Sequence, residues 1–163
     1  MTRNAIRLAT AQDLPIVLEI RNEAVAYKTR RGDFAWGKAG WKEEDARLAL
    51  DQGGFYVIEH QGLPAGMLSL LWQDEEYWGP RLPDAGYLHR LSVRDAFRGR
   101  GLGGYAIGWC ADQVRINRRR HLRLDCDVRN TKLCAYYEAL GFRRVSTQPI
   151  SADYVASLYE RPV

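Results

Sequence analysis

The feature that most constrains the fold is a glycine-rich turn between a strand pattern and a helix pattern. Residues 87–93 alternate apolar and polar side chains, which predicts a half-buried strand. Residues 98–104 read Arg-Gly-Arg-Gly-Leu-Gly-Gly, and a helix is predicted from about Gly101 to Arg118. Free backbone N–H groups at a helix start face such a turn, and they attract an anion. The segment therefore predicts an α/β domain with an anion site at the start of this helix.

Hydrophobic periodicity predicts nine other elements, and with the strand and helix above the order is β-α-α-β-β-β-α-β-α-β-β. They are a strand around Ile6 and Leu8, a helix from about Pro15 to Tyr27, a helix over 42–51, strands over 55–59 and 65–72, a strand over 121–128, a helix from Asn130 or Thr131 to Leu140, and short strands over 142–145 and 154–158. Residues 73–86 are predicted to be a polar loop. The order favours an antiparallel meander followed by a right-handed strand-helix-strand unit.

Length and composition favour one soluble domain, residues 1–163. The chain has 46% hydrophobic and 27% charged residues, which is ordinary for a globular protein. No apolar run approaches the roughly 20 residues that span a bilayer. The N-terminal residues lack the apolar core of a signal peptide. We therefore expect a cytoplasmic protein with no membrane partner.

The charged and sulfur-containing residues leave several classes open. The net charge is +4, and the arginines at 118–120 suit nucleic acid, a polyphosphate ligand or a solvated helix end. No aromatic-rich motif of RNA-binding domains is present, so no nucleic-acid partner is expected. Cys110, Cys126 and Cys134 match no metal-ligand spacing and are expected to be buried free thiols. No metal is expected.

The residues of the turn alone leave two ligand classes open. Gly99, Gly101 and Gly104 satisfy the dinucleotide fingerprint, and Asp125 lies about 20 residues further on, where a ribose-binding acid stands. Against that reading, the strand pattern continues past Asp125 to Val128, and too little chain follows for a doubly wound fold. A P-loop is excluded because no Gly-Lys-Ser/Thr follows.

Three short motifs together resemble the GNAT superfamily of acyl-CoA N-acyltransferases. Residues 98–103 match that family's acyl-CoA loop, Arg/Gln-x-x-Gly-x-Gly/Ala. Residues 91–93 match the Leu-x-Val that commonly ends the preceding strand. Asn130, Tyr137 and residues 141–142 match a later Asn, Tyr and Gly-Phe at the family's spacing. The resemblance is strongest over residues 87–145.

The resemblance implies a fold and an activity. The fold is a mostly antiparallel sheet of about six to seven strands, splayed between strands 4 and 5 and flanked by about four helices. The implied activity is transfer of an acetyl group from acetyl-CoA, as co-substrate, to a primary amine of a small molecule or peptide in a ternary complex. A homodimer is left open. The alternatives are a dinucleotide-binding oxidoreductase and a non-catalytic acyl-CoA-binding module.

The resemblance also assigns roles to individual residues. The Val93 N–H would polarise the thioester carbonyl, and Tyr137 would protonate the departing thiolate, with its neighbour Tyr136 as the alternative. The residues implied to contact acetyl-CoA are Leu91, Ser92, Val93, Arg98, Gly99, Arg100, Gly101, Leu102, Gly103, Gly104, Asn130 and Tyr137.

The acceptor amine requires a base and a binding site. A lysine-like amine has a pKa near 10.4, so deprotonating it at pH 7 costs about 4.6 kcal/mol. His89 is the preferred base, with Glu76 and Asp74 as the alternatives, because His89 lies on the strand that ends at the acyl site, where several relatives carry Glu. Asp74 and Glu76, with Trp36, Trp78 and His89, are the predicted substrate contacts, since carboxylates and aromatic rings suit a cationic amine.

Overall fold

A computed structural model of the protein describes residues 3–163. The strands are β1 Asn4–Leu8, β2 Phe55–His60, β3 Leu63–Leu71, β4 Ala85–Val93, β5 His121–Asp127, β6 Arg143–Ser151 and β7 Tyr154–Pro162. The helices are α1 Leu14–Thr29, α2 Glu43–Asp51, α3 Glu75–Trp78, α4 Leu102–Ile116 and α5 Thr131–Ala139. Short 3-10 turns lie at Ala11–Asp13 and Asp95–Phe97.

The strands form one sheet in the order β1-β2-β3-β4-β5-β7-β6, and every pairing except β4 with β5 is antiparallel. Met67 packs with α1 and α2 on one face, and its neighbour Leu68 packs with α4 and α5 on the other. The mixed sheet and its flanking helices confirm the predicted fold class. Within residues 3–163, no helix combines the length and the apolar character that crossing a membrane requires.

A β-bulge in β4 separates it from β5. The two strands pair only as far as Tyr87 opposite Arg123. Further along, Leu68 of β3 faces two residues of β4, Arg90 and Leu91, and Arg90 takes a left-handed φ of 56°. A bulge bends its strand and ends regular pairing, so β4 turns away from β5. The predicted splay between strands 4 and 5 is therefore present.

The structure differs from the prediction in the segment before β4. The predicted polar loop contains α3, which starts where the Asp74 carboxylate accepts a hydrogen bond from the Tyr77 N–H at 3.2 Å. This helix turns Trp78 inward, where it is 5% exposed and packs with Ala85 and Tyr87. The described part of the chain accordingly contains five α-helices where about four were expected.

Candidate functional site

The gap between β4 and β5 opens a cleft of about 590 Å³. Residues 88–93 of β4 and 124–127 of β5 form its floor and sides. The end of α1 with the loop after it covers one side, and the start of α5 covers the other. Parallel strands that part in this way expose backbone N–H and C=O groups that no neighbouring strand satisfies.

The glycine-arginine turn lies at one end of this cleft. Gly101 is the N-cap of α4 with φ at 73°, a conformation that glycine adopts without steric cost. Among the described residues, no acceptor is bonded to the backbone N–H groups of residues 99–104. Arg98 lines the cleft, stacks 3.4 Å above the Tyr27 ring and pairs with Asp95 at 2.9 Å. Unpaired N–H donors at a helix start can bind an anion, which is the role that the sequence predicts for this turn.

Other members of the predicted loop contribute differently. Arg100 is exposed beside Gly99 and Gly101, while the Leu102 side chain is 1% exposed in the core. Leu102 can therefore offer a ligand only its backbone N–H.

The backbone of Val93 points into the cleft. The next residue, Arg94, donates its N–H to the Ala65 carbonyl of β3 at 2.9 Å. Because successive residues of a strand direct their backbone groups to opposite sides, the Val93 N–H points toward the gap. Gly66 permits this arrangement, since a Cβ there would lie 2.2 Å from the Ser92 carbonyl oxygen.

Both tyrosines of the Asn-Tyr-Gly-Phe segment reach the cleft. Tyr137 is 8% exposed, and Tyr136 is 40% exposed. Burial, with a contribution from nearby Cys126, raises the pKa of the Tyr137 phenol well above its usual range. No side-chain hydrogen bond among the described residues uses the Tyr137 hydroxyl, and Tyr137 lines the cleft.

Asn130 joins the two sides of the cleft. Its side-chain oxygen accepts the Leu133 N–H at 3.1 Å and caps α5, while its amide nitrogen donates to Asp33 at 2.7 Å. Burial alone would raise the pKa of Asp33, but the Lys28 ammonium and the Asn130 amide hold it below its usual value. Asn130 thus lines the cleft with much of its hydrogen-bonding capacity already used.

His89 lies between two carboxylates at the other end of the cleft. Its Nε2 is 2.9 Å from Asp74, and its Nδ1 is 3.6 Å from Asp125. The Tyr154 hydroxyl donates to the second oxygen of Asp125. Burial raises the pKa of Asp125, against the opposing effects of His89 and the Tyr154 hydrogen bond. Asp74 is therefore placed to orient His89 from behind, while His89 and Asp125 line the cleft.

The same three side chains have the donor types of a divalent-metal site. Potential ligand atoms of Asp74, His89 and Asp125 all lie within 4.8 Å of one another. Hydrogen bonds already occupy two of these side chains' ligand atoms: Asp74 shares a proton with His89, and Asp125 accepts one from the Tyr154 hydroxyl. The absence of a metal stays a prediction.

Only two of the five predicted substrate contacts line the cleft. Trp36 and His89 line the cleft. The other three do not: Asp74 is engaged with His89, Glu76 is an exposed residue of α3, and Trp78 is packed in the core. The role of these three residues as substrate contacts stays a prediction.

Comparison with known proteins decides the family. Residues 17–142 match the Acetyltransferase (GNAT) family. The chain belongs to this family. A relative in Bacillus subtilis, the uncharacterized N-acetyltransferase YesJ, is 28% identical over 120 residues. That match covers 69% of this chain and 66% of the relative, so the chain spans just under two thirds of the relative's length.

Solved structures share the GNAT fold across nearly the whole chain. YncA of Salmonella typhimurium, solved with its cofactor acetyl-CoA, has a TM-score of 0.72 at 16% identity, covering 98% of this chain and 94% of that one. The ribosomal-protein-alanine N-acetyltransferase of Brucella melitensis has a TM-score of 0.74 at 21% identity, covering 98% and 99%. The sheet of this chain is largely antiparallel, which excludes the doubly wound fold of a dinucleotide-binding oxidoreductase.

Sequence reasoning missed several residues of this GNAT cleft. Asp125 was weighed only as a ribose-binding acid, and Tyr154 only as part of a strand. Arg21 occupies the buried stripe of α1 beside Val17 and Ala24, which is a detectable signal because arginine is almost never fully buried unless paired. The proximity of these groups to His89 and Arg90 depends on strand pairing, which periodicity does not give.

Proposed function

We propose that this GNAT protein transfers an acetyl group from acetyl-CoA to a primary amine by direct attack in a ternary complex. The observation that carries the proposal is the splayed cleft, with unpaired amides of a helix start at one end and His89 between two carboxylates at the other. Acetyl-CoA supplies an activated thioester, and the residues of the chain bind it and manage protons.

The phosphate end fits the residues present. Free N–H groups of residues 99–104 and the positive end of α4 suit pyrophosphate oxygens, and Arg98 and Arg100 add charge. Leu91 and Val93, with backbone groups toward the gap, suit the amide groups of the pantetheine arm. The Val93 N–H is then placed to stabilise negative charge developing on the acetyl carbonyl oxygen.

Tyr137 is our proposed proton donor to the departing sulfur. A phenol is protonated at neutral pH even at its ordinary pKa, so Tyr137 has a proton to donate, and its side chain lines the cleft. Tyr136, whose ring lies 5.4 Å from that of Tyr137, is more exposed and less confined. Tyr137 is therefore the better-positioned of the two.

His89 is our proposed base for the acceptor ammonium. Asp74 holds Nε2, which leaves Nδ1 directed toward the cleft and Asp125. Asp125 attracts the ammonium, His89 takes its proton, and Asp74 stabilises the resulting imidazolium. The arrangement follows the general logic of a base oriented by a buried carboxylate.

Direct transfer is favoured over an acyl-enzyme because the cleft offers no activated thiol. Cys126 lines the cleft, but burial and then the neighbouring Cys134, whose sulfur is 3.7 Å away, raise the pKa of Cys126 far above its usual value. A thiol that stays protonated is a poor nucleophile.

The test is a panel of amines incubated with acetyl-CoA, with free thiol followed and acetylated products identified by mass. The panel includes peptides, because the Brucella neighbour is named for a ribosomal-protein alanine. We expect thiol release that depends on added amine and initial-rate lines that intersect. Parallel lines would indicate an acyl-enzyme. Acetyl-CoA that neither binds nor reacts would refute the proposal, and binding without any product would favour a non-catalytic module.

A further inference from the structure

Two arginines beside the acceptor end of the cleft have no acidic partner. Arg21 of α1 is only 8% exposed, and Arg90, at the bulge of β4, is half-buried and lines the cleft. Within residues 3–163, neither forms an ion pair with a carboxylate, whereas Arg7, Arg94 and Arg123 each contact two. Two cations that influence each other, one buried and one half-buried, therefore have no carboxylate partner among the described residues.

Aromatic rings hold these arginines in place. The Arg21 guanidinium lies 4.1 Å from the centre of the Trp36 ring and 4.6 Å from that of Trp41, and Arg90 lies 5.7 Å from Trp41. The Nε atom of Arg21 is buried without a hydrogen-bond partner among the described residues. Stacking fixes the planes of the guanidinium groups but satisfies none of their N–H donors. Arg90 uses one of its donors in a hydrogen bond to the Ser69 hydroxyl at 3.2 Å, and its other donors have no side-chain partner among the described residues.

The electrostatic cost of this arrangement is visible in the arginines themselves. Burial and then the charge of Arg90 lower the pKa of Arg21 to about 10, so Arg21 stays protonated at neutral pH. The phenol of Tyr77 offsets part of this effect for both arginines. A buried cation that lacks a counter-charge destabilises the fold unless a ligand supplies that charge.

We infer that Arg21 and Arg90 bind a carboxylate of the acceptor, so that the acceptor is an amino acid whose amine faces His89. This inference rests on the proposed acetyl transfer. The bulge brings the Arg90 side chain to the face that carries His89: Ser69 lies opposite His89, and its hydroxyl accepts a hydrogen bond from Arg90 at 3.2 Å. The positive and negative parts of the cleft therefore adjoin. Guanidinium groups bind carboxylates through paired N–H donors, and the carboxylates beside His89 attract an ammonium. An amino acid carries both an ammonium and a carboxylate, so it matches both parts of the cleft.

The position of Arg90 separates this site from the phosphate site. Arg90 precedes Val93 by three residues of β4, roughly 10 Å at the usual rise of a strand. The turn that suits pyrophosphate follows Val93 on the other side, at residues 98–104. The arginine pair thus lies on the acceptor side of the acetyl position.

The decisive experiment compares amino acids with their own carboxamides as acceptors. Each pair has the same amine and side chain, so only the carboxylate differs. We expect kcat/KM to be about 10- to 100-fold higher for the amino acid, the range for charge-assisted hydrogen bonds. Arg21→Gln and Arg90→Gln should each raise the KM for the amino acid about 10-fold or more while leaving the KM values for the carboxamide and acetyl-CoA within two-fold. Arg21→Lys should retain part of the preference.

Arg47→Gln is the matched control, because Arg47 is exposed on α2 and pairs with Glu43. Carboxamides that react as well as amino acids in the wild-type protein would overturn the inference while leaving acetyl transfer intact. Equal losses for both acceptors in the Arg21 and Arg90 variants would assign the arginines a structural role and also overturn it. If Arg21→Gln does not fold, the wild-type comparison and Arg90→Gln decide. Failure of the proposed function is recognised separately, by absent acetyl-CoA binding and turnover.

Discussion

Replacing Gly66 with alanine should damage catalysis from outside the cleft. Gly66 of β3 lies opposite Val93 of β4 in the strand register. A Cβ at Gly66 would meet the Ser92 carbonyl oxygen at 2.2 Å and the Ile58 side chain at 3.3 Å. The first contact is with backbone, which cannot rotate away as the end of a side chain can. The methyl group must therefore push β4 away from β3.

The size of the effect follows from that contact. Ordinary carbon–oxygen contact begins at 3.4 Å, so the 2.2 Å separation must grow by about 1.2 Å. Overpacking of this kind costs about 1–3 kcal/mol, which lowers the Tm by roughly 2–12 °C in a domain of this size. A shift of about 1 Å at a reacting group costs on the order of 100-fold in kcat. Because Ser92 adjoins Val93, we expect both losses together.

The assay combines thermal unfolding with kcat and acetyl-CoA affinity, measured on Gly66→Ala and on Gly108→Ala. Gly108 is a mid-helix residue of α4 whose added Cβ would meet nothing within 4 Å. Its replacement should stabilise the protein by about 0.5–1 kcal/mol and leave kcat unchanged. A Gly66→Ala variant with unchanged Tm and with kcat within two-fold of wild type would refute the reasoning that close strand approach positions the Val93 N–H.

Three further predictions concern proton donors and carboxylates. Tyr137→Phe should lower kcat by about 100-fold with acetyl-CoA affinity within two-fold; equal loss of both would remove its acid role. Asp74→Asn should lower kcat by about 10- to 100-fold through loss of the charge that supports His89, and a far-ultraviolet spectrum like that of wild type would show that the fold is retained. The Arg7 hydrogen bond lowers the pKa of Asp13 to about 2, so its stabilisation, about 1 kcal/mol after solvent screening, is complete above pH 4 and lost between pH 4 and 2. Between pH 4 and 2, the free energy of unfolding of Asp13→Asn should therefore fall less with decreasing pH than that of the wild-type protein.

Periodicity predicted most of the fold because each long element buries a regular face. The helix beginning near Gly101 and the strand ending at Val93 lie where their patterns indicated. The helix α3 was missed because only four residues form it and charged residues occupy its first turn. In that segment the burial of Trp78, rather than any repeating pattern, determines the local structure.

The sequence predicted the backbone features of the site but missed its contacts between distant side chains. Backbone-based features could be predicted: the free amides of residues 99–104 follow from the local glycine-rich pattern, and the role of the Val93 N–H follows from the resemblance to the GNAT family. Contacts between distant side chains depend on strand order. Asp125 meets His89 only because β5 lies beside β4, and Asp74 reaches His89 only because α3 folds back. No local pattern specifies either distance.

The bulge at Arg90 has a consequence for how this chain can vary in length. Leu68 faces both Arg90 and Leu91, so β4 contains one residue more than regular pairing allows. Deleting that residue would shift the following segment by one position and turn the Val93 N–H toward β3. An insertion there would have the same effect. The interval from His89 to Val93 can therefore accept substitutions during evolution, while its number of residues has to stay constant.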